Sequence, residues 1–168
     1  MARTRPVPDY ATGPVTRGLR TASLLGIVVL TAFVLWRYPS LPEVVPTHFD
    51  FTGEPDDFGS RSSLLWLAGI MLVVGTLLAR LSTTPNVLNY PGKITESNAQ
   101  RLYREGERLM VWVLAGVAVV YLGIVLQTFA DTGSAVLIVG LVVLMGSTLA
   151  GLVRMVIAET PASTRSGG

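Results

Sequence analysis

Four long apolar blocks, each bounded by polar or turn-forming residues, constrain this chain more than any other feature. They run from about Thr21 to Trp36, Leu64 to Leu81, Leu109 to Ala130 and Ser134 to Ala158. With its flanks even the shortest reaches about 20 residues, the length that crosses the hydrocarbon of a bilayer as a helix. In hydrocarbon a backbone must satisfy its own hydrogen bonds, so isolated spans of this length are helical. Half of the 168 residues are hydrophobic and only 14% are charged, too few for a water-soluble domain of this size. The fold class expected is therefore all-α integral membrane, with four transmembrane helices. A secretory signal peptide is the competing reading of the first block, but no small-x-small cleavage site follows it. Trp36 and Tyr38 follow the first block and Trp66 sits near the start of the second, where amphipathic rings favour the headgroup layer.

These blocks divide the chain. Residues 1–20, broken by Pro6, Pro8, Gly13 and Pro14, read as a disordered basic tail. Residues 21–82 form a two-helix unit around a loop at 37–61, and residues 83–108 connect it to a helical hairpin at 109–158. Only Asp131, Thr132 and Gly133 separate the helices of that hairpin. Residues 159–168 read as a second disordered tail. All but two of the 13 basic residues lie before the first block, between the second and third, or at the end of the fourth. Arg37 and Arg61 are the exceptions. The excess marks the cytoplasmic side, so an N-in/C-in topology in the cytoplasmic (plasma) membrane follows, with loop 37–61 outside.

No charged side chain falls at the centre of a block. Arg80 and Arg154 are about a turn from block ends, within snorkelling reach of the headgroups; Gln127 and Thr76 are the most polar interior candidates. A charged residue at the bilayer centre costs about 2.5–3.5 kcal/mol on insertion scales and marks ion or proton pathways. Its absence speaks against pumps, coupled carriers and intramembrane proteases. No cysteine is present, and the net charge of +2 is too small to suggest nucleic acid. We expect no enzyme, no cofactor, no resident metal and no nucleic-acid partner. In the fourth block, Gly146 with Ala150 and Ser147 with Gly151 make a flat face, suited to close packing on Ala115, Gly116 and Ala118. A homodimer seam through this helix is the alternative. Before the third block, Ser97 and Gln100 fit a capping box, with Thr95 as the alternative cap. Ala99, Leu102, Tyr103, Gly106, Leu109 and Met110 then share one helical face. This reads as an amphipathic cytoplasmic helix lying on the membrane before turning, or running straight, into the third span.

The loop Arg37–Arg61, RYPSLPEVVPTHFDFTGEPDDFGSR, holds the only histidine and five acids among four prolines and two glycines. Prolines fix torsions and glycines permit turns, so this loop is structured. Val45, Thr47, Phe49 and Phe51 alternate with His48, Asp50 and Thr52, which suits a short strand with one side on the helix tops. His48 and Asp50 then project together, and Thr52 to Pro55 turn the chain. A metal site of His48, Asp50 and one of Glu54, Asp56 or Asp57 is one chemistry for this pattern; an acid–base pair is another. The simplest reading is a histidine bonded to Asp50 or to backbone that fixes the loop's shape.

The run L-P-x-x-V-P-x-H-F-x-x-x-G-x-P-D, Leu41 to Asp56, resembles the signature of bacterial domain-of-unknown-function family 1648, the N-terminal domain of membrane proteins like the immunity protein against the sporulation-delaying toxin. The later N-Y-P-G-K-I-T-E-S-N, Asn89 to Asn98, is similar to a segment that often follows it. The resemblance spans roughly Thr21 to Arg108. It implies a two-helix unit with the motif loop outside, and a role in toxin immunity or signal reception. We therefore expect a non-enzymatic protein embedded in the lipid bilayer, whose outer loop recognises a peptide, toxin or membrane protein partner. The residues placed at that site are His48, Phe49, Asp50, Gly53, Glu54 and Asp56. The alternative is a small auxiliary subunit of a transporter or envelope complex.

Topology is directly testable. Single cysteines at Ser40 and Ser60 are expected to react with an impermeant thiol reagent in intact cells, and one at Ser97 only after permeabilisation. The reverse pattern inverts the orientation.

Overall fold

The computed structural model describes residues 5–130 and 132–159. Helix α1 (Pro14–Arg37) leads through a short 3-10 turn into strands β1 (Val44–Phe49) and β2 (Pro55–Ser60). Helix α2 (Ser62–Ser82) follows, and a second 3-10 turn and an irregular stretch precede α3 (Ala99–Ala130) and α4 (Ser134–Glu159). All four helices are long and apolar enough to cross a membrane. Outward-facing Val29, Leu35, Val73, Val142 and Leu149 are more than half exposed, as lipid-facing positions are. Between α1 and α2 the chain forms an antiparallel hairpin, so the loop contributes two strands where the alternation alone indicates one.

Helix α3 is the centre of the bundle, in contact with α1, α2 and α4. Of its apolar window 44% is buried, against 22%, 22% and 17% for the other three helices. Ile27 and Val34 of α1, Leu64 and Ala68 of α2, and Leu114, Tyr121 and Val125 of α3 form one core. Thr31 and Tyr121 hydroxyls share a buried hydrogen bond of 3.3 Å inside it, which satisfies two polar groups at once.

Helices α3 and α4 meet backbone to backbone. A Cβ at Gly123 would lie 2.6 Å from the Leu137 Cα, one at Gly140 2.6 Å from the Val120 nitrogen, and one at Gly116 2.8 Å from the Leu144 Cα. The partners descend one helix as they climb the other, which is the antiparallel hairpin expected from its short link. Gly133, at φ 124°, makes that turn possible and accepts a bond from the Leu137 amide at 2.8 Å. Lipid supplies no hydrophobic force between helices, so the dispersion gained at such contact distances is what holds them. The expected seam is only partly the real one. Gly151 packs on Leu109, but a Cβ on Gly146 would meet nothing within 4 Å, and Gly146 and Ala150 are exposed. The face turned to α3 is Leu137, Gly140, Leu144 and Gly151, one helical step round from the expected one.

The N-terminal region also differs from expectation. Helix α1 begins at Pro14, well before Thr21, with proline in its first turn, where a missing N–H costs nothing. Residues 5–13, read as disordered tail, lie along α3. Arg5 donates to the carbonyls of Asn86 at 2.9 Å and Leu88 at 2.6 Å. Tyr103 and Gln100 donate to the carbonyls of Pro6 and Val7, at 3.0 and 2.9 Å. Prolines hold this segment extended, which leaves its carbonyls free to accept from side chains. Residues 1–4 and 160–168, the remainder of the two expected tails, lie outside the described residues.

Thr12 donates to Glu107 Oε1 at 2.7 Å, and Arg20 forms an ion pair with the same oxygen. The two charged side chains are only 16% and 6% exposed. The Arg104 guanidinium lies 5.1 Å over the Tyr10 ring, and burial together with the Glu107 carboxylate pushes the Tyr10 phenol above its ordinary range.

The helix before the third span runs straight into it as one continuous α3, and its apolar face is covered by protein. Leu102 and Tyr103 are fully buried, Leu102 packing beside Tyr90, Ile94 and Met155. The Ser97–Gln100 capping box does not form. Gln100 instead holds the N-terminal segment, accepting from the Asp9 amide at 2.8 Å. The turn before α3 is fastened by Asn98, whose Oδ1 accepts from the Thr95 amide at 2.8 Å.

Alanine at Gly123 or Gly140 is expected to push α3 and α4 apart and lower stability by about 1–3 kcal/mol, the range for overpacking a close contact. Gly146→Ala is expected to leave thermal unfolding in detergent unchanged. Equal effects at the three positions would contradict this packing.

Candidate functional site

The hairpin is anchored at its base. Leu41 and Val45 are 8% and 2% exposed and belong to the helix core. Arg61 closes the base: its amide donates to Glu43 O at 2.9 Å, and its guanidinium donates to Leu41 O at 3.1 Å and lies 5.3 Å over the Tyr38 ring. The last of these is a cation–π contact. Pro55 opens β2, a strand position that tolerates a missing donor.

Two irregularities shape the ladder. Pro46 pairs with Phe58 and His48 with Asp57, so Thr47 is an extra residue on β1. Phe49 then pairs with Pro55, which makes Asp56 an extra residue on β2. Bulges interrupt alternation and re-aim side chains. Thus Val45 is buried and Phe49 half-buried as expected, whereas Thr47 and Phe51 face out. The bulged Asp56 reaches across to His48, with Oδ1 2.5 Å from Nδ1. His48 therefore partners Asp56, and the expected projection of His48 together with Asp50 is not formed. With 66% and 47% of the side chains exposed, the pair contributes little to stability and stands open to a visitor.

Asp50 does something else. Its Oδ1 accepts from the Thr52 amide at 2.8 Å, the Thr52 hydroxyl at 2.6 Å and the Glu54 amide at 3.0 Å. Its own amide donates to Glu54 O at 2.9 Å. Bonds from the Thr52 hydroxyl, then from the tip amides, stabilise the carboxylate and hold its pKa below the ordinary value. Gly53 completes the turn at φ 84°. A Cβ there would lie 3.0 Å from the Ser134 Cα, because the tip rests on the first residue of α4. Ser134 is 3.4 Å from both Glu54 Oε1 and the buried Gln127 Oε1.

The expected site residues thus sort into three jobs: Asp50 and Gly53 build the tip, Glu54 reaches α4, and His48 with Asp56 forms an open pair. Phe49 is half-buried in β1. Among the described residues no three His, Asp or Glu side chains come together as metal ligands would. The structure adds what the motif reading missed. Phe51 at the tip is 92% exposed, Phe58 57% and Val44 60%. Val44, Phe58, Tyr38, Glu43 and Arg61 border a shallow recess of about 480 Å³. An aromatic beside acids, as in D-F-T and D-D-F, was the available signal; strand alternation pointed Phe51 inward, but β1 ends at Phe49 and Phe51 lies in the tip turn.

The family described as Domain of unknown function (DUF1648) matches residues 25–72, from α1 across the hairpin into α2. An uncharacterized protein of Archaeoglobus fulgidus is similar, with 36% identity over 105 residues, covering 54% of this chain. This chain spans about half of that relative, 56% of its length. No solved structure matches. The family match covers the whole hairpin.

Because the folded-state pKa of Asp50 lies below its unfolded one, the turn's added stability is complete above the ordinary carboxylate value and drains away as pH falls through the depressed one. Asp50→Ala is expected to speed hydrogen exchange at the Thr52 and Glu54 amides severalfold at neutral pH. Acid is expected to do the same in the wild type, after correction for the intrinsic pH dependence. Unchanged protection in both would show that the tip does not depend on this carboxylate.

Proposed function

We propose that this is a non-enzymatic multi-pass protein of the cytoplasmic membrane, N-in/C-in, whose outer hairpin binds a peptide or protein partner. The observation that carries the reading is a fastened hairpin displaying Phe51, Phe58 and Val44 to solvent. Exposed aromatics on a rigid support are the usual anchors of recognition, since little entropy is lost when they are covered. Insertion of the tip into lipid is disfavoured by Asp50, Glu54, Asp56 and Asp57 around Phe51, whose desolvation would outweigh one ring. The same carboxylates suit a partner with apolar and basic residues, as an amphipathic cationic peptide has. Toxin immunity and signal reception both fit that class of partner. The open strand edges add backbone donors and acceptors for an extended segment.

Photoreactive phenylalanine analogues at Phe51 and Phe58, introduced in cells, test this. A discrete protein or peptide adduct at both positions is expected, absent when Leu149 carries the probe and lost when Gly53→Val disrupts the tip. Adducts to lipid alone, or an adduct indifferent to Gly53→Val, would overturn the proposal.

A further inference from the structure

At the bundle end opposite the hairpin, α3 and α4 border an open trough of about 430 Å³ whose walls include Trp112, Val142, Gly146 and Ala150 and whose mouth carries Arg108 and Arg154. Close helix packing explains Gly116, Gly123, Gly140 and Gly151, but it does not explain Gly146, which has open space where a side chain would go. The small residues instead leave a channel beside Trp112, which is 46% exposed. A neighbouring hollow of about 560 Å³ shares Arg108, Arg154 and Glu105 with the trough and adds Arg101 and Arg104, so Glu105 is the one carboxylate bordering either. Glu105 is already bonded to Arg108 at 2.8 Å. The Arg154 guanidinium meets no carboxylate among the described residues. A cation at that depth, about a turn and a half before the end of α4, lies where headgroups meet hydrocarbon and gains most from an anionic partner.

We propose that this trough is a binding site for an anionic phospholipid, its phosphate between Arg108 and Arg154 and one acyl chain along Gly146 and Ala150. The proposal rests on the helices spanning a bilayer and is independent of the hairpin's role. Guanidinium groups pair with phosphate oxygens through charge-assisted, often bidentate bonds. A second copy of the chain is the weaker occupant, because a symmetric pairing on this face would bring the arginines of one copy toward those of the other.

The test is native mass spectrometry of the full chain in detergent with phosphatidylglycerol or phosphatidylcholine of identical acyl chains. The wild type is expected to retain phosphatidylglycerol about tenfold more than phosphatidylcholine, from two charge-assisted contacts. Glycerol phosphate, which lacks the chains, is expected not to displace it. The double variant Arg108→Gln/Arg154→Gln is expected to bring the ratio to near one, and Gly146→Leu to reduce phosphatidylglycerol retention by filling the trough. Arg80→Gln, on α2, is expected to leave both unchanged. A ratio unmoved by the double variant, full retention in Gly146→Leu, displacement by glycerol phosphate, or a wild-type dimer that Gly146→Leu dissociates would overturn the proposal.

Discussion

The fold depends on the approach of α4 to α3 through glycine. With Gly116, Gly123 and Gly140 in the contact, two backbones lie close enough for dispersion to hold them where no hydrophobic force operates. That contact fixes where α4 starts, and Ser134 at its start is the surface on which Gly53 and Glu54 rest. The opposite side of α3 carries α1 and α2, whose upper ends plant Leu41 and Val45 in the common core. The hairpin is therefore held at its base by the core of α1, α2 and α3 and at its tip by the first residue of α4. A change deep between α3 and α4 would shift the support under the tip without touching the hairpin itself.

Within the hairpin, the two acids flanking the histidine have opposite assignments. Asp50 turns one oxygen, Oδ1, inward on the turn, where it accepts from Thr52 and Glu54. Asp56 is placed by a bulge, exposed, and shared only with His48. Chemistry that reaches the loop from outside meets Asp56, His48 and the two phenylalanines first. By this division the spaced motif combines residues that shape the loop with residues that the loop displays. Removing Asp50 or Gly53 alters the platform, whereas removing His48 or Phe51 alters what stands on it.

The four helices, the tight turn at Gly133 and an ordered loop were legible because block length, a positive-φ glycine and proline spacing act locally. The partner of His48 was not, because two bulges set the register, and a bulge leaves no period in the sequence. The packing face of α4 was misread by about one helical step: several small residues fit the same spacing, and only the neighbour decides which of them is covered. The N-terminal segment was missed for a different reason. Pro6 and Pro8 forbid helix, but a segment barred from helix docks equally well as extended chain with free carbonyls when Tyr103 and Gln100 stand ready to donate. Thr12-Gly13-Pro14 was the overlooked start signal for α1.

The charges of the chain sort by end, and by how many are already engaged. At the hairpin end Arg37 lies over the rings of Trp36 and Phe129, and Arg61 over Tyr38, so its cations are committed to structure while Asp56 and Glu43 stay open. At the other end Arg20 is committed to Glu107, a pair whose breaking by removal of one partner costs about 3–5 kcal/mol when fully buried and less where water reaches the arginine. Arg5 is committed to carbonyls and Arg104 to Tyr10. Among the described residues Arg154 and Arg101 meet no carboxylate there, and both border the same hollow. One end thus presents carboxylates beside exposed aromatics, and the other presents arginines beside an apolar trough. The two proposed occupants, a cationic amphipathic peptide and an anionic lipid, match these surfaces in charge. Both follow from which charges the fold uses for itself, since the net charge of +2 is too small to attract either.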